Sequence, residues 1–225
     1  MTNKGIFMVI DGTDGSGKTV QANRLIERLR AAGHQAELLD FPRYGKPSAY
    51  FVERYLRGDY GSAKEVNAYT ASIFYALDRY DACPSIREKL EQGITLVSNR
   101  YVSANKGHQM GKIKNPDEQV LFLNWLNDTE YGILGIPKPD LTLLLHVTAE
   151  IGFELASARE KNLEKTDIHQ ASLEHLQDAE RAYLRLPEID KSENWRVIEC
   201  VKNGKLLPIE TIHEKIWGTI SELVR

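Results

Sequence analysis

Between a short apolar run, Phe7 to Ile10, and an amphipathic stretch beginning at Val20 lies Gly12-Thr13-Asp14-Gly15-Ser16-Gly17-Lys18-Thr19, which fits the pattern G-x-x-x-x-G-K-[ST] at every position. No other feature of the chain constrains it as tightly, because the pattern has meaning only where a strand enters the loop and a helix leaves it. Both flanks meet that condition. Gly12, Gly15 and Gly17 let the backbone bend so that successive N–H groups point inward, and the helix N-terminus behind them adds partial positive charge. Such a cradle, formed by residues 12–19, takes the phosphates of ATP or GTP. Lys18 reaches the β- and γ-phosphates, and the Thr19 hydroxyl is a Mg²⁺ ligand. The motif does not name the reaction, since GTPases, motor ATPases and kinases share it.

The rest of the chain fits the fold that this loop requires. Strand-like segments recur at Phe7–Ile10, Ala36–Phe41, Ile94–Ser98, Leu141–Val147 and Trp195–Val201, with helical stretches between them. The first helix repeats an apolar face at Ala22, Leu25, Ile26 and Leu29, and the last at Ile209, Ile212, Ile216 and Ile220. Asn115-Pro116-Asp117-Glu118 reads as a helix start, with Asn115 as the cap and Glu118 closing a capping box. Strands alternating with helices imply parallel pairing through right-handed crossovers. The expected architecture is a three-layer α/β P-loop NTPase fold, a five-stranded parallel sheet flanked by helices, in one domain spanning 1–225. Residues 150–167 break the pattern: they are polar, rich in Lys and Glu, and follow the fourth strand, where ligand loops of open α/β sheets emerge. We read them as a mobile lid.

Composition excludes several classes. A net charge of -3 argues against binding nucleic-acid polymers or anionic membrane surfaces, so any nucleotide must be held locally. Two distant cysteines, Cys83 and Cys200, suit neither a disulfide scaffold nor a zinc site. The apolar run near the N-terminus is too brief for a signal core or a membrane span, and a cytoplasmic setting is expected.

Further motifs carry a resemblance to the thymidylate kinase family. Asp11-Gly12-Thr13-Asp14-Gly15-Ser16-Gly17-Lys18 is similar to that family's acidic-Gly-x-Asp-Gly-x-Gly-Lys run, Phe41-Pro42-Arg43-Tyr44 to its Phe-Pro-Arg-Tyr turn, and Leu77-Asp78-Arg79 to the end of one of its helices. Asn99-Arg100-Tyr101 through Asn105 resembles its Asp-Arg-Tyr-x-x-Ser-Asn stretch, and Asp167-Ile168-His169-Gln170 an Asp-Ile-His-Glu of one branch. The resemblance implies that Asp14 meets the 3′-hydroxyl of the acceptor deoxyribose, and that Arg43 and Tyr44 lie beside the acceptor phosphate. It implies that Tyr75 stacks on thymine, that Arg79 donates to a thymine carbonyl, and that Asn105 reads the thymine edge. Arg100 would bridge donor and acceptor phosphates, and His108 would stand near the sugar. The variable positions of the P-loop hold no basic residue, so a transition-state cation must come from the lid, and Arg159 is the candidate.

On this reading the chain moves the γ-phosphoryl group of ATP to dTMP, with Mg²⁺, giving ADP and dTDP for dTTP synthesis, and it pairs as a homodimer. A kinase of the same architecture acting on another deoxynucleotide or a nucleoside is the alternative. Two departures, Asn99 where most relatives have Asp and Gln170 where they have Glu, remove negative charge near the metal. They leave a non-catalytic nucleotide sensor as a further alternative.

Overall fold

β1 (Phe7–Asp11) is apolar along its whole length because both of its faces are covered. Phe7 and Val9 enter one core, Met8 and Ile10 the other. That alternation makes three layers out of a single strand. The computed structural model describes residues 4–160 and 173–224. α1 (Lys18–Ala31) follows the loop and buries Ala22, Leu25, Ile26 and Leu29, the face expected from its spacing. β2 (Ala36–Asp40), β3 (Thr95–Asn99), β4 (Leu141–His146) and β5 (Trp195–Glu199) complete the sheet. All four pairings are parallel, in the order β2-β3-β1-β4-β5.

One core holds α1 and α8 (Ile209–Ile220) against the sheet. The opposite core is built by α3 (Ala68–Glu91), α5 (Pro116–Asn127) and α7 (Leu173–Ile189). Asn115 caps α5 as expected, accepting from the Asp117 and Glu118 backbone N–H groups at 2.8 and 3.4 Å. α2 (Tyr50–Leu56) packs on α3 through Val52, Tyr55 and Leu56. After β3 the chain winds through α4 (Val102–Ala104) and a π-helical turn, Asn105–Gln109; a second π-helical stretch, Asp128–Ile133, extends α5. α6 (Ala149–Glu160) leaves the end of β4.

Strand boundaries differ from expectation by a residue at β1 to β4 and by two at the fifth. The fifth strand ends at Glu199 rather than running to Val201. Val201–Lys202 (β6) instead turns back on Lys205–Leu206 (β7) as an antiparallel hairpin. Asn203 and Gly204 both have positive φ, 52° and 71°, which an Asn-Gly pair accommodates and which matches the twist of a two-residue hairpin. The periodicity of the apolar residues hid that turn.

β1 reaches the middle of the sheet with helices on both sides, so its C-terminal end opens between β3 and β4. Ligands of open α/β sheets bind at such a point.

Candidate active site

The loop after β1 is closed from above. Gly15 has φ +82°, and a Cβ added to it would lie 2.2 Å from the Gly152 carbonyl oxygen on α6. Only glycine permits both the left-handed turn and this approach. Lys18 is almost fully buried and donates to the carbonyls of Gly12 and Thr13 at 3.0 and 2.8 Å. The Thr13 and Ser16 hydroxyls are buried without a hydrogen-bond partner among the described residues. Unpaired donors cost free energy unless a ligand satisfies them, and a phosphate group supplies such an acceptor.

Asp14 is the pivot of the site. Arg100 donates to its carboxylate, and the Lys18 ammonium stands 3.8 Å away. Burial works to raise the carboxyl's pKa, but Arg100 and Lys18 overcome it and hold it well below the usual carboxylate range. Asp14 is therefore ionised throughout the physiological range. Arg100 takes φ +62°, a conformation that non-glycine residues seldom adopt and that costs about 1–3 kcal/mol. Its backbone N–H bonds to the Ile10 carbonyl at 3.0 Å, so the residue turns sharply off β3 and carries its guanidinium over the P-loop. Arg100 Nη1 and His108 Nε2 lie 2.9 Å apart. Burial, reinforced by Arg100, pushes the His108 pKa well below its ordinary value. The imidazole is then neutral at pH 7, its Nε2 accepts from Arg100, and its proton sits on Nδ1.

A second group supports this one from beneath. The Asp11 carboxylate accepts from the Gly12 backbone N–H at 2.8 Å, from the Tyr183 hydroxyl at 2.9 Å, and from Ser103. Tyr183 lies flush on Gly107, where an added Cβ would come within 2.1 Å of the ring. One buried carboxylate thus ties the P-loop to α7 and to the segment after β3. The sequence showed Asp11 only as part of a motif, and Ser103 and Tyr183 gave no signal.

Asp40 was also missed. At the end of β2 its Oδ1 accepts from Asn99 Nδ2 at 2.8 Å, while Thr19 Oγ1 lies 3.4 Å from the same nitrogen. Asn99 Oδ1 is buried without a partner among the described residues. Desolvation at the strand end raises the Asp40 pKa, with Asn99, Arg100 and Lys18 pulling the other way. A carboxylate and a hydroxyl therefore gather around the Asn99 amide nitrogen beside the P-loop, although position 99 itself lacks charge. Position 40 directly precedes Phe41-Pro42-Arg43-Tyr44, the one signal that could have marked it.

On the acceptor side Arg79 and Asn105 meet on one carboxylate, and Arg43, Tyr44 and Tyr75 each have their own surroundings. Arg43 Nε bonds to Asp78 Oδ1 at 2.9 Å, and its Nη2 reaches Ser48, the Asp78 carbonyl and Asp81 at 2.7–2.8 Å. It is clamped on α3, beside the cis Phe41-Pro42 peptide. Tyr44 next to it is exposed. Tyr75 is half-buried and meets Tyr55 edge-on at 6.3 Å. Arg79 is bonded in a way that its motif did not announce: its guanidinium is buried, and Nε and Nη2 each donate to Glu130 at 2.6 Å while Nη1 donates to the Tyr101 carbonyl at 3.2 Å. Asn105 Nδ2 donates to the same Glu130 at 3.0 Å and to the Ser72 carbonyl at 3.2 Å. Glu130 is the residue that sequence reasoning overlooked here, because nothing local to Asp128-Thr129-Glu130-Tyr131 points to it.

Only the first part of the expected lid, 150–160, lies within the described residues. That part belongs to α6, and Arg159 lies near the end of that helix. Lys161, Lys165 and the stretch from Asp167 to Gln170 lie outside the described residues.

A glycine-rich cradle at the centre of a five-stranded parallel sheet, with Arg100 facing it from the end of the adjacent β3 and the Asp40 carboxylate at the end of β2 beyond, defines a P-loop phosphotransferase. The match to known proteins is closer than the class. The profile of the thymidylate kinase family covers residues 10–216, and the chain belongs to that family. It is 28% identical to the thymidylate kinase of Homo sapiens over 222 residues, 99% of this chain and 92% of the relative. It is 33% identical to that of Nitrobacter winogradskyi over 227 residues, covering 98% and 90%. The thymidylate kinase structure from Candida albicans superposes with a TM-score of 0.74 at 22% identity, covering 98% of this chain and 92% of that one, a likeness of fold.

Proposed function

We propose that the chain transfers the γ-phosphoryl group of ATP to the 5′-phosphate of dTMP, giving dTDP and ADP. An acceptor phosphate oxygen bonds to the γ-phosphorus as the bond to the bridging oxygen of ADP breaks. The convergence of Lys18, Asp14 and Arg100 carries this reading, since phosphoryl transfer asks the protein mainly for alignment and for cations around the transferred group. Arg100, hinged by its left-handed backbone, swings between an intramolecular carboxylate and the phosphates. Asp14, ionised and displaced from Arg100 by them, takes the 3′-hydroxyl of the acceptor.

Thr19 and Asp40 would hold Mg²⁺, and Asn99, which now presents Nδ2 to both, would add its unpartnered Oδ1 on turning its amide over. When bound, the ion neutralises charge on the phosphate oxygens and keeps several of its waters. Asp40 supplies the negative charge that Asn99 does not, which weighs against the sensor alternative. Tyr75, Arg79 and Asn105 border the base, Arg43 and Tyr44 the acceptor phosphate, His108 the sugar, and Arg159 is the candidate for the transition-state cation in a lid at 150–167, of which 161–167 lie outside the described residues. We also propose a single domain over 1–225, a homodimer, and a cytoplasmic setting; among the described residues no helix is long and apolar enough to cross a membrane.

The test is ADP release coupled to a reporter across a panel of nucleoside monophosphates. dTMP should be the best acceptor and dUMP about five- to tenfold poorer, the roughly 1 kcal/mol of one buried methyl. Equal turnover of purine monophosphates would overturn the assignment.

A further inference from the structure

Arg79 and Asn105 reach the site from different parts of the chain, one from α3 and one from the π-helical turn after β3, yet both end on Glu130. Glu130 itself sits in the second π-helical stretch. A π turn inserts one residue into a helix and re-aims the side chains around it, and such turns gather at functional sites. Here two of them point a carboxylate and an amide at each other. Glu130 and Arg79 are both shut off from solvent, and Asn105 nearly so, with 2% of its surface exposed.

The bonding fixes the orientation of the Asn105 amide. Nδ2 carries two protons, and two acceptors take them: Glu130 Oε1 and the Ser72 carbonyl. Oδ1 is the amide's remaining hydrogen-bonding atom. Turning the amide over would place Oδ1 against the Glu130 carboxylate and the Ser72 carbonyl, three acceptors together with no proton between them. Glu130 therefore leaves Asn105 with an acceptor as its remaining atom. It also takes two of the five Arg79 N–H bonds and Tyr101 takes a third, which fixes the plane of the guanidinium and hence where its two remaining donors point. An acceptor beside a donor complements a pyrimidine with N3–H next to a C4 carbonyl. It mismatches cytosine, which offers an unprotonated N3 next to a 4-amino group.

We propose that Glu130 is a positioning residue that sets base selectivity, making the pocket accept thymine and uracil and reject cytosine by locking the Asn105 amide and the Arg79 guanidinium. This inference rests on the reading above that those two side chains border the base.

Glu130→Gln keeps the shape but replaces one acceptor oxygen with an NH₂ that must face either Arg79 Nε or both Arg79 Nη2 and Asn105 Nδ2, so donors oppose donors and the lock is broken. The measurement is the ratio of kcat/KM for dTMP to that for dCMP in wild type, Glu130→Gln and Glu130→Asp. We expect the ratio to fall by about ten- to a hundredfold in Glu130→Gln, the range for one buried hydrogen bond replaced by a mismatch. Glu130→Asp, which keeps the carboxylate, should stay within about threefold of wild type even if it melts earlier. A purely structural Glu130 would depress both acceptors equally, and an unchanged ratio in Glu130→Gln would overturn the inference. If Glu130→Gln does not fold, hydrogen exchange of the Asn105 side-chain amide in wild type decides. Slow exchange supports the lock, and exchange as fast as that of a surface asparagine refutes it. A wild type that already uses dCMP as well as dTMP would instead bring down the dTMP reading itself.

Discussion

Replacing Asn99 by aspartate sets two carboxylates against each other at the ends of β2 and β3. In the native protein Asn99 Nδ2 donates to Asp40 Oδ1 at 2.8 Å, a bond worth about 1 kcal/mol net. Asn99→Asp removes the donor and adds a charge. Two like charges about 4 Å apart repel by roughly 1 kcal/mol in water and about 4 kcal/mol at the effective dielectric of a protein surface. Asp40 is solvent-exposed while Asn99 is 8% exposed, which places the pair between those limits. The sum is about 2–5 kcal/mol of lost stability without a cation. For a chain of this size that lowers Tm by roughly 4–20 °C. Mg²⁺ should reverse the effect, because a cation held by both carboxylates and Thr19 turns repulsion into attraction. The variant should therefore gain more Tm from Mg²⁺ than wild type does, and should need less Mg²⁺ for half-maximal rate. Thermal melts of both proteins in EDTA and across a Mg²⁺ series provide a readout independent of turnover. A variant that melts with wild type in EDTA, or that gains no more from Mg²⁺, would refute the pairing of Asp40 with position 99.

Two further outcomes follow from the geometry and the proposed roles. Arg159→Ala should lower kcat by about 10³ while leaving KM for dTMP within about threefold, as expected for a cation used only in the transition state; full turnover in steady-state assays would return the segment to a solvated helix end. His146 is held between Glu199 at 2.7 Å and Glu180 at 2.9 Å, and Glu180 also accepts from the Ala149 backbone N–H at the start of α6. Burial lowers the His146 pKa, but the two carboxylates outweigh it and raise the value above the ordinary one. A raised folded value means that the stabilisation is full below the unfolded pKa near 6.5 and fades as pH climbs through the folded one. Glu199 is largely exposed, so the effect is about 1 kcal/mol. His146→Gln should then melt roughly 2–4 °C below wild type at pH 5.5 and close to it at pH 8.5, and a gap that does not change with pH in calorimetric melts would contradict this.

What the sequence determined by itself was whatever depends on neighbours along the chain. The P-loop is legible because its glycines, lysine and threonine act together within residues 12–19, and a backbone cradle needs nothing from afar. The α1 stripe of Ala22, Leu25, Ile26 and Leu29 is legible because 3.6 residues per turn converts spacing into a face. Five parallel strands followed from the alternation of apolar runs with helices. Their order, β2-β3-β1-β4-β5, did not, since parallel pairing is set by crossovers that leave no mark in the strands themselves. Only the tertiary structure decided the side-chain partners that give the site its chemistry. Arg79 and Glu130 are separated by 51 residues, Asp40 and Asn99 by 59, and Asp11 and Tyr183 by 172. Each of these six residues, read locally, is a plausible surface or core side chain. A buried charge or amide needs a partner within about 3 Å, and folding chooses that partner by bringing strand ends and π turns together, a distance that no pattern along the chain records.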